Sequence, residues 1–177
     1  MKKGCLSSVL IGFVLLVGGF LMLFNGLGSI AGDVTPESAT LPASINEFAA
    51  DRDGVEFCVT KVENLKSIGS GYSAVTTENN FVAVTITIRN NGTEPYDVNS
   101  SRFVLMNGEI EYQHDSDAVW AIDNGMFLDT INPGISKEYT LVYETPMTTQ
   151  EGDFQLKIKY NTFIESACVY ISFADAK

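Results

Sequence analysis

The chain is short of the residues from which most active sites are built. Its 177 residues include one histidine, three cysteines and one tryptophan. No Cys-x-x-Cys pair and no Cys/His cluster occurs, which excludes the usual ligand sets of zinc. No nucleophile-elbow motif surrounds any serine. Base is scarce too: 11 Lys and Arg stand against 22 Asp and Glu, a formal charge of −11. A surface of that sign repels phosphate backbones, so nucleic acid is not an expected partner. Nothing in the composition calls for a cofactor.

Charge of either sign is missing altogether from one stretch. Between Cys5 and Gly32 the chain reads CLSSVLIGFVLLVGGFLMLFNGLGSIAG, with Lys2 and Lys3 before it and Asp33 just after. Such a run is long enough to enter or cross a bilayer core about 30 Å thick. The two lysines favour a cytoplasmic N-terminus, which places the rest of the chain outside as a single-pass protein. The apolar core Val9–Phe24 exceeds an ordinary signal-peptide core of roughly 7–15 residues, which favours a retained anchor. Ser29-Ile30-Ala31 is the competing cleavage site, and cutting after Ala31 would release a secreted protein. Cys5 precedes the apolar run, so a lipid anchor on a cysteine following that run is excluded.

Residues 1–32 are therefore read as a signal anchor or signal peptide, 33–44 as a flexible linker and 45–177 as one domain. The linker, DVTPESATLPAS, has no apolar period. Beyond it the pattern is one of strands. Val82, Val84, Ile86 and Ile88 alternate with Ala83, Thr85, Thr87 and Arg89. Tyr139, Leu141 and Tyr143 do the same, as do Phe154, Leu156, Ile158 and Tyr160. Asp51-Arg52-Asp53-Gly54 marks a hairpin turn between Ile45–Ala50 and Val55–Asn64. Asn107-Gly108 marks another between Arg102–Met106 and Glu109–Gln113. Lys66–Asn80, with Gly69, Ser70 and Gly71, reads as a loop. No helix is expected outside the anchor. Short strands at this spacing predict an all-β, antiparallel β-sandwich.

Three pieces recur in a familiar order. Phe81–Arg89 ends at Asn90-Asn91-Gly92; Phe103-Val104-Leu105 precedes Asn107-Gly108; Asn132-Pro133-Gly134 leads to Leu141-Val142-Tyr143-Glu144-Thr145-Pro146. This set resembles the telokin-like, immunoglobulin-type domain family of secreted and lipid-anchored bacterial proteins of unknown function. The resemblance implies an extracytoplasmic immunoglobulin-like sandwich from about Ile45 onward and no particular reaction. Fold alone does not give function.

Candidate sites are few. In Val55–Val59 and in Ala167–Phe173 the cysteines oppose the apolar residues of their strands. A disulfide between Cys58 and Cys168 is then a candidate only if the first and last strands are neighbours along one outer face. His114, in Gln113-His114-Asp115-Ser116-Asp117, is expected as a solvated loop residue, because neighbours in an extended chain cannot form a relay by themselves. Asp115 with Asp117, and Asp51 with Asp53, are the carboxylate pairs open to acid–base chemistry or calcium. Trp120, Phe127, Tyr96 and Tyr112 are candidates for an aromatic binding surface, although Trp120 in Ala118-Val119-Trp120-Ala121-Ile122 reads as core. Asn91-Gly92-Thr93 and Asn99-Ser100-Ser101 match the glycosylation sequon.

The function expected from these features is that of a membrane-tethered, non-enzymatic binding or protein-interaction module at the cell surface. It would meet a protein or small ligand outside the cytoplasm and the membrane through its N-terminal helix. The alternative is a carboxylate-dependent hydrolase acting on envelope or extracellular polymers.

Overall fold

The alternation of Val82, Val84, Ile86 and Ile88 marks the inner half of the longest strand of the domain, and all four side chains are buried. A computed structural model of the chain describes residues 42–51, 53–148, 153–160 and 168–174. The anchor and cleavage readings for residues 1–32, and most of the linker, lie outside the described residues. Among these, no helix is long and apolar enough to cross a membrane.

Eleven strands are described: β1 (Ala43–Ser44), β2 (Ala49–Ala50), β3 (Val55–Ile68), β4 (Val75–Asn90), β5 (Tyr96–Asn99), β6 (Phe103–Asn107), β7 (Ile110–Tyr112), β8 (Leu128–Ile131), β9 (Ser136–Thr145), β10 (Gln155–Lys159) and β11 (Cys168–Ser172). They form a five-stranded sheet in the order β1-β11-β10-β6-β7 and a four-stranded sheet in the order β2-β3-β4-β9. A two-stranded ribbon, β5-β8, accompanies them. All pairings are antiparallel except β1 with β11, which run in parallel.

One apolar cluster draws on both large sheets, which makes the fold a β-sandwich. Phe57, Val84, Ile86 and Leu141 enter it from one side and Phe103, Leu105, Leu156 and Ile171 from the other. Phe57 meets Phe103 edge to face at 6.2 Å. The Tyr143 hydroxyl donates to the Phe103 carbonyl at 3.2 Å, which satisfies a polar group that burial would otherwise penalise. Each such side chain contributes about 1.5–3 kcal/mol when fully buried. The alternating strands read from the sequence, Val55–Val59, Tyr139–Tyr143, Phe154–Tyr160 and Val169–Phe173, all turn their apolar residues inward.

Four expectations are corrected. The loop expected over Lys66–Asn80 is mostly strand, because β3 runs to Ile68 and β4 starts at Val75. Its sequence carries no alternation; the far end of the hairpin is joined by the Ser67–Thr76 and Ile68–Val75 pairs, and the Asn80 amide donates to the Asn64 Oδ1 at 2.6 Å. Gly69 and Gly71, at φ 81 and 61, supply the left-handed positions of the connection. The Asn107-Gly108 turn is displaced by one residue: Asn107 pairs with Ile110, and Gly108 (φ 57) is the first central residue. Ala43 and Ser44, assigned to the linker, pair with Ile171 and Ser172, so the sandwich starts before Ile45. Ser116–Trp120 is a helix.

That helix sits over the outer face of the four-stranded sheet. Ala118 and Val119 join Ile68, Phe81, Ala83 and Val142 in a second, smaller apolar cluster. The outward residues of β4 and β9 are therefore apolar where the helix covers them. Along β3 the opposite happens. Among the described residues no strand pairs with its outer edge beyond the short contact with β2. The strand carries Lys61, paired with Glu63 at 2.9 Å, and its pairing with β4 is irregular at Val59/Lys61 and Leu65/Ser67.

Candidate functional site

The candidate acid pairs serve the main chain. Asp115 is the N-cap of the helix, and its Oδ1 accepts from the Ala118 N–H at 2.9 Å. Asp117, in the first turn, is exposed. The Asp51 Oδ1 accepts from the N–H groups of Asp53 and Val55 at 2.9 and 2.8 Å, which is the chemistry of an Asx turn opening β3. Burial pushes the Asp51 carboxyl above its ordinary pKa in spite of these bonds. Among the described residues no group of three His, Cys, Asp or Glu is placed to hold a metal ion.

His114 is half-buried rather than solvated. It bridges to Tyr143 of β9, and its Nε2 shares a hydrogen bond with the Ser100 Oγ at 3.1 Å. A serine from a distant segment thus does reach the histidine. The pair has no third member among the described residues, because the buried Nδ1 has no hydrogen-bond partner. Ser100 is only 8% exposed.

The candidate disulfide does not fit the observed topology. Cys58 lies in β3 of the four-stranded sheet, on the face opposite Phe57 and Val59. Cys168 lies in β11 of the other sheet, opposite Val169 and near Lys157 and Lys159. The strands are not neighbours, the core lies between the sheets, and the two cysteines are not bridged to each other. Burial raises the pKa of both thiols.

The four candidate aromatics separate into two kinds. Tyr96 packs edge to face on Phe57 at 5.9 Å, and Tyr112 on Phe154 at 6.0 Å. Both belong to the margin of the main core. Trp120, read as core, is 73% exposed. The periodicity explains this: with the segment helical, Ala118 and Val119 take the buried face and Trp120 falls outside it. Its indole lies on the ring of Phe127, centroids 4.1 Å apart and planes tilted by 34°. Phe127 is half-buried against the second cluster.

The aromatic pair rests on a fixed base. The Asp115 N–H donates to the Val142 carbonyl at 2.7 Å, ahead of the helix. After it, the Met126 N–H donates to Thr140 at 3.0 Å, and the Thr140 N–H donates to Asn124 at 2.8 Å. Gly125 approaches so closely that a Cβ there would lie 2.3 Å from the Val119 carbonyl oxygen. At the far end Gly69 brings the turn that carries Tyr72, itself wholly exposed, against Ala121. Helix and return segment are thus clamped to the edge of β9.

The sequence model of a family described as a domain of unknown function (DUF4352) matches residues 44–167, well over half of the chain. The chain belongs to the DUF4352 family. No curated protein matches it significantly. Several solved structures are similar to this DUF4352 sandwich, among them three of bacterial proteins. The yjhA protein of Bacillus subtilis has a TM-score of 0.59 at 14% identity, over 74% of this chain and 99% of that one. A candidate lipoprotein of Bacillus subtilis, ycdA, gives 0.54 at 17%, over 73% of this chain and 39% of its own. The secreted protein MPT63 of Mycobacterium tuberculosis gives 0.50 at 14%, over 77% and 98%. At these identities the likeness is one of fold.

A polar depression is the other feature of the DUF4352 domain. It lies along β5 and β8 and is lined by Asp97, Asn99, Arg102, Asp129 and Thr130, together with Val98 and Leu128. The Asp129 Oδ2 accepts from the Lys137 Nζ and from the Tyr139 hydroxyl, each at 2.7 Å. The Lys137 ammonium, with the Tyr139 hydroxyl and the Thr130 N–H, holds the Asp129 carboxyl down at about 2. Burial and that same carboxylate push the Tyr139 phenol far up. Lys137 thus balances the charge of Asp129, and the depression is open. Sequence reasoning named Trp120 and Phe127 but missed the helix that presents the indole to solvent. An Asp N-cap ahead of Ser-Asp-Ala was the available sign, and the apolar string after it read as core.

Proposed function

We propose that this protein is a membrane-tethered, extracytoplasmic sandwich of immunoglobulin type that works as a non-enzymatic binding module at the cell surface. Its contact surface is the Trp120–Phe127 face. The observation that carries this reading is the exposed Trp120. A large apolar ring left in water on a rigid support costs free energy that contact with a partner returns. Support for the location comes from the uncharged run 5–32 behind Lys2 and Lys3. The secreted protein and the candidate lipoprotein among the fold neighbours agree with it.

The test uses the full-length protein in its host, with a photo-crosslinking phenylalanine analogue at position 120 or at position 170. Tyr170, in β11, is partly exposed and belongs to the other sheet. A discrete crosslinked species from position 120 and none from 170 is the expected result. Equal yields from both, or none from 120, would overturn the assignment of the surface.

A further inference from the structure

From Phe103 to Ser136 the chain has no lysine or arginine, yet it carries Glu109, Glu111, Asp115, Asp117, Asp123 and Asp129. Three of these acids are engaged. Glu111 pairs with Lys157 at 3.1 Å, Asp115 caps the helix, and Asp129 holds Lys137 and Tyr139. Asp117 and Asp123 are exposed and make no ion pair among the described residues. They stand three residues either side of Trp120. Asp117, at i,i+3 from the indole, shares its helix face.

An indole face carries the negative end of a ring quadrupole and attracts ammonium and guanidinium groups. Here two exposed carboxylates that make no ion pair among the described residues reinforce that attraction. The stack on Phe127 already orders the indole, so docking costs little side-chain freedom. An anionic membrane or polymer would meet only repulsion on this segment. A neutral sugar would use the same ring and gain nothing from the charge. Resting on the reading of this face as the contact surface, we propose that the Trp120–Phe127 face docks a lysine- or arginine-bearing segment of a partner protein. The cations lie over the indole and pair with Asp117 and Asp123, while the apolar stems of those side chains cover Phe127.

Trp120 is the only tryptophan in the chain, so its emission reports on this face alone. The full-length protein in detergent is titrated with a short polylysine peptide, a neutral Gly/Ser peptide and a chitin oligosaccharide. Saturable change of Trp120 emission is expected with polylysine only, weakening as salt is raised. Asp117→Asn with Asp123→Asn should weaken binding about three- to tenfold. Glu94→Gln with Glu109→Gln makes the same charge change elsewhere and should stay within about twofold. Unaltered emission of both variants without peptide checks that the fold persists. Three results would overturn the proposal: no saturable change with polylysine, equal weakening in the two variants, or a stronger response to the oligosaccharide. The last would leave the contact surface standing with a different occupant, and the crosslink from position 120 judges that surface independently.

Discussion

Asn90, the last residue of β4, donates through its side-chain amide to the carbonyl of Ile131, 2.8 Å away and 41 residues along the chain. The same amide donates to the Glu94 carbonyl at 2.8 Å, and its oxygen accepts from the Gly92 N–H at 3.0 Å. The Asn90 main chain adds bonds to Gly134 and Ile135. One buried residue thus ties the turn after β4 to the turn between β8 and β9. Asn90→Ala should leave main-chain groups without partners and lower unfolding free energy by about 3 kcal/mol. Asn90→Asp, which loses the donor and buries a charge, should be no better. Denaturant midpoints of both variants decide this; losses under about 0.5 kcal/mol would contradict the role given to Asn90.

Gly125 is fixed by space, not by its dihedral angles. An added methyl would meet the carbonyl and the Cγ1 of Val119 at 2.3 and 2.7 Å. Gly125→Ala should therefore displace the helix and cost about 1–3 kcal/mol. It should also shift the emission of Trp120, since the indole rides on that helix. Unchanged emission with lowered stability would mean that the strain is absorbed elsewhere.

Stability in acid should depend on Asp129. Its carboxyl falls from its ordinary 3.8 to about 2 in the fold. A lowered folded value means stabilisation that is complete above the unfolded value and lost as pH falls through the folded one. Asp129→Asn should lower stability at neutral pH by less than about 1 kcal/mol, because the pair is partly exposed. The difference between parent and variant should shrink between pH 3.8 and about 2. A gap that stays constant over this range would show that the carboxyl is not held down.

Cys58 and Cys168 belong to different sheets, so oxidation should not join them within one folded chain. Peptide mapping without reduction should yield no Cys58–Cys168 crosslinked peptide, and a thiol reductant should leave the melting temperature unchanged. Recovery of that peptide from folded protein would contradict the strand order.

The sandwich was legible wherever alternation is strict. Val82–Ile88 and Phe154–Ile158 place apolar residues on one face, and a half-buried strand is the only regular structure that uses such a pattern. Trp120 and Phe127 were legible as candidate aromatics, but the helix that exposes the indole was not. Ala118-Val119-Trp120-Ala121-Ile122 is uniformly apolar, and over five residues no period distinguishes strand from helix. The cap of Asp115 on Ala118 is local, but the bridge of His114 to Tyr143 and the close approach of Gly125 to Val119 that hold the helix in place are fixed by the tertiary fold. The start of β4 ahead of Phe81 was concealed because Thr76–Asn80 is polar throughout and only Ser67–Thr76 and Ile68–Val75 pair with β3 there.

The outer edge of β3 bears on how copies of this domain behave when crowded. A flat, unpaired edge is a template on which a second chain can zip up, and nucleation of aggregates begins there. Here the irregularities at Val59/Lys61 and Leu65/Ser67 interrupt the regular course of β3, and the Lys61–Glu63 ion pair sets hydrated charge along it, which a second chain would have to strip of water to pair there. Neighbouring domains can then stand densely side by side without polymerising through their strands.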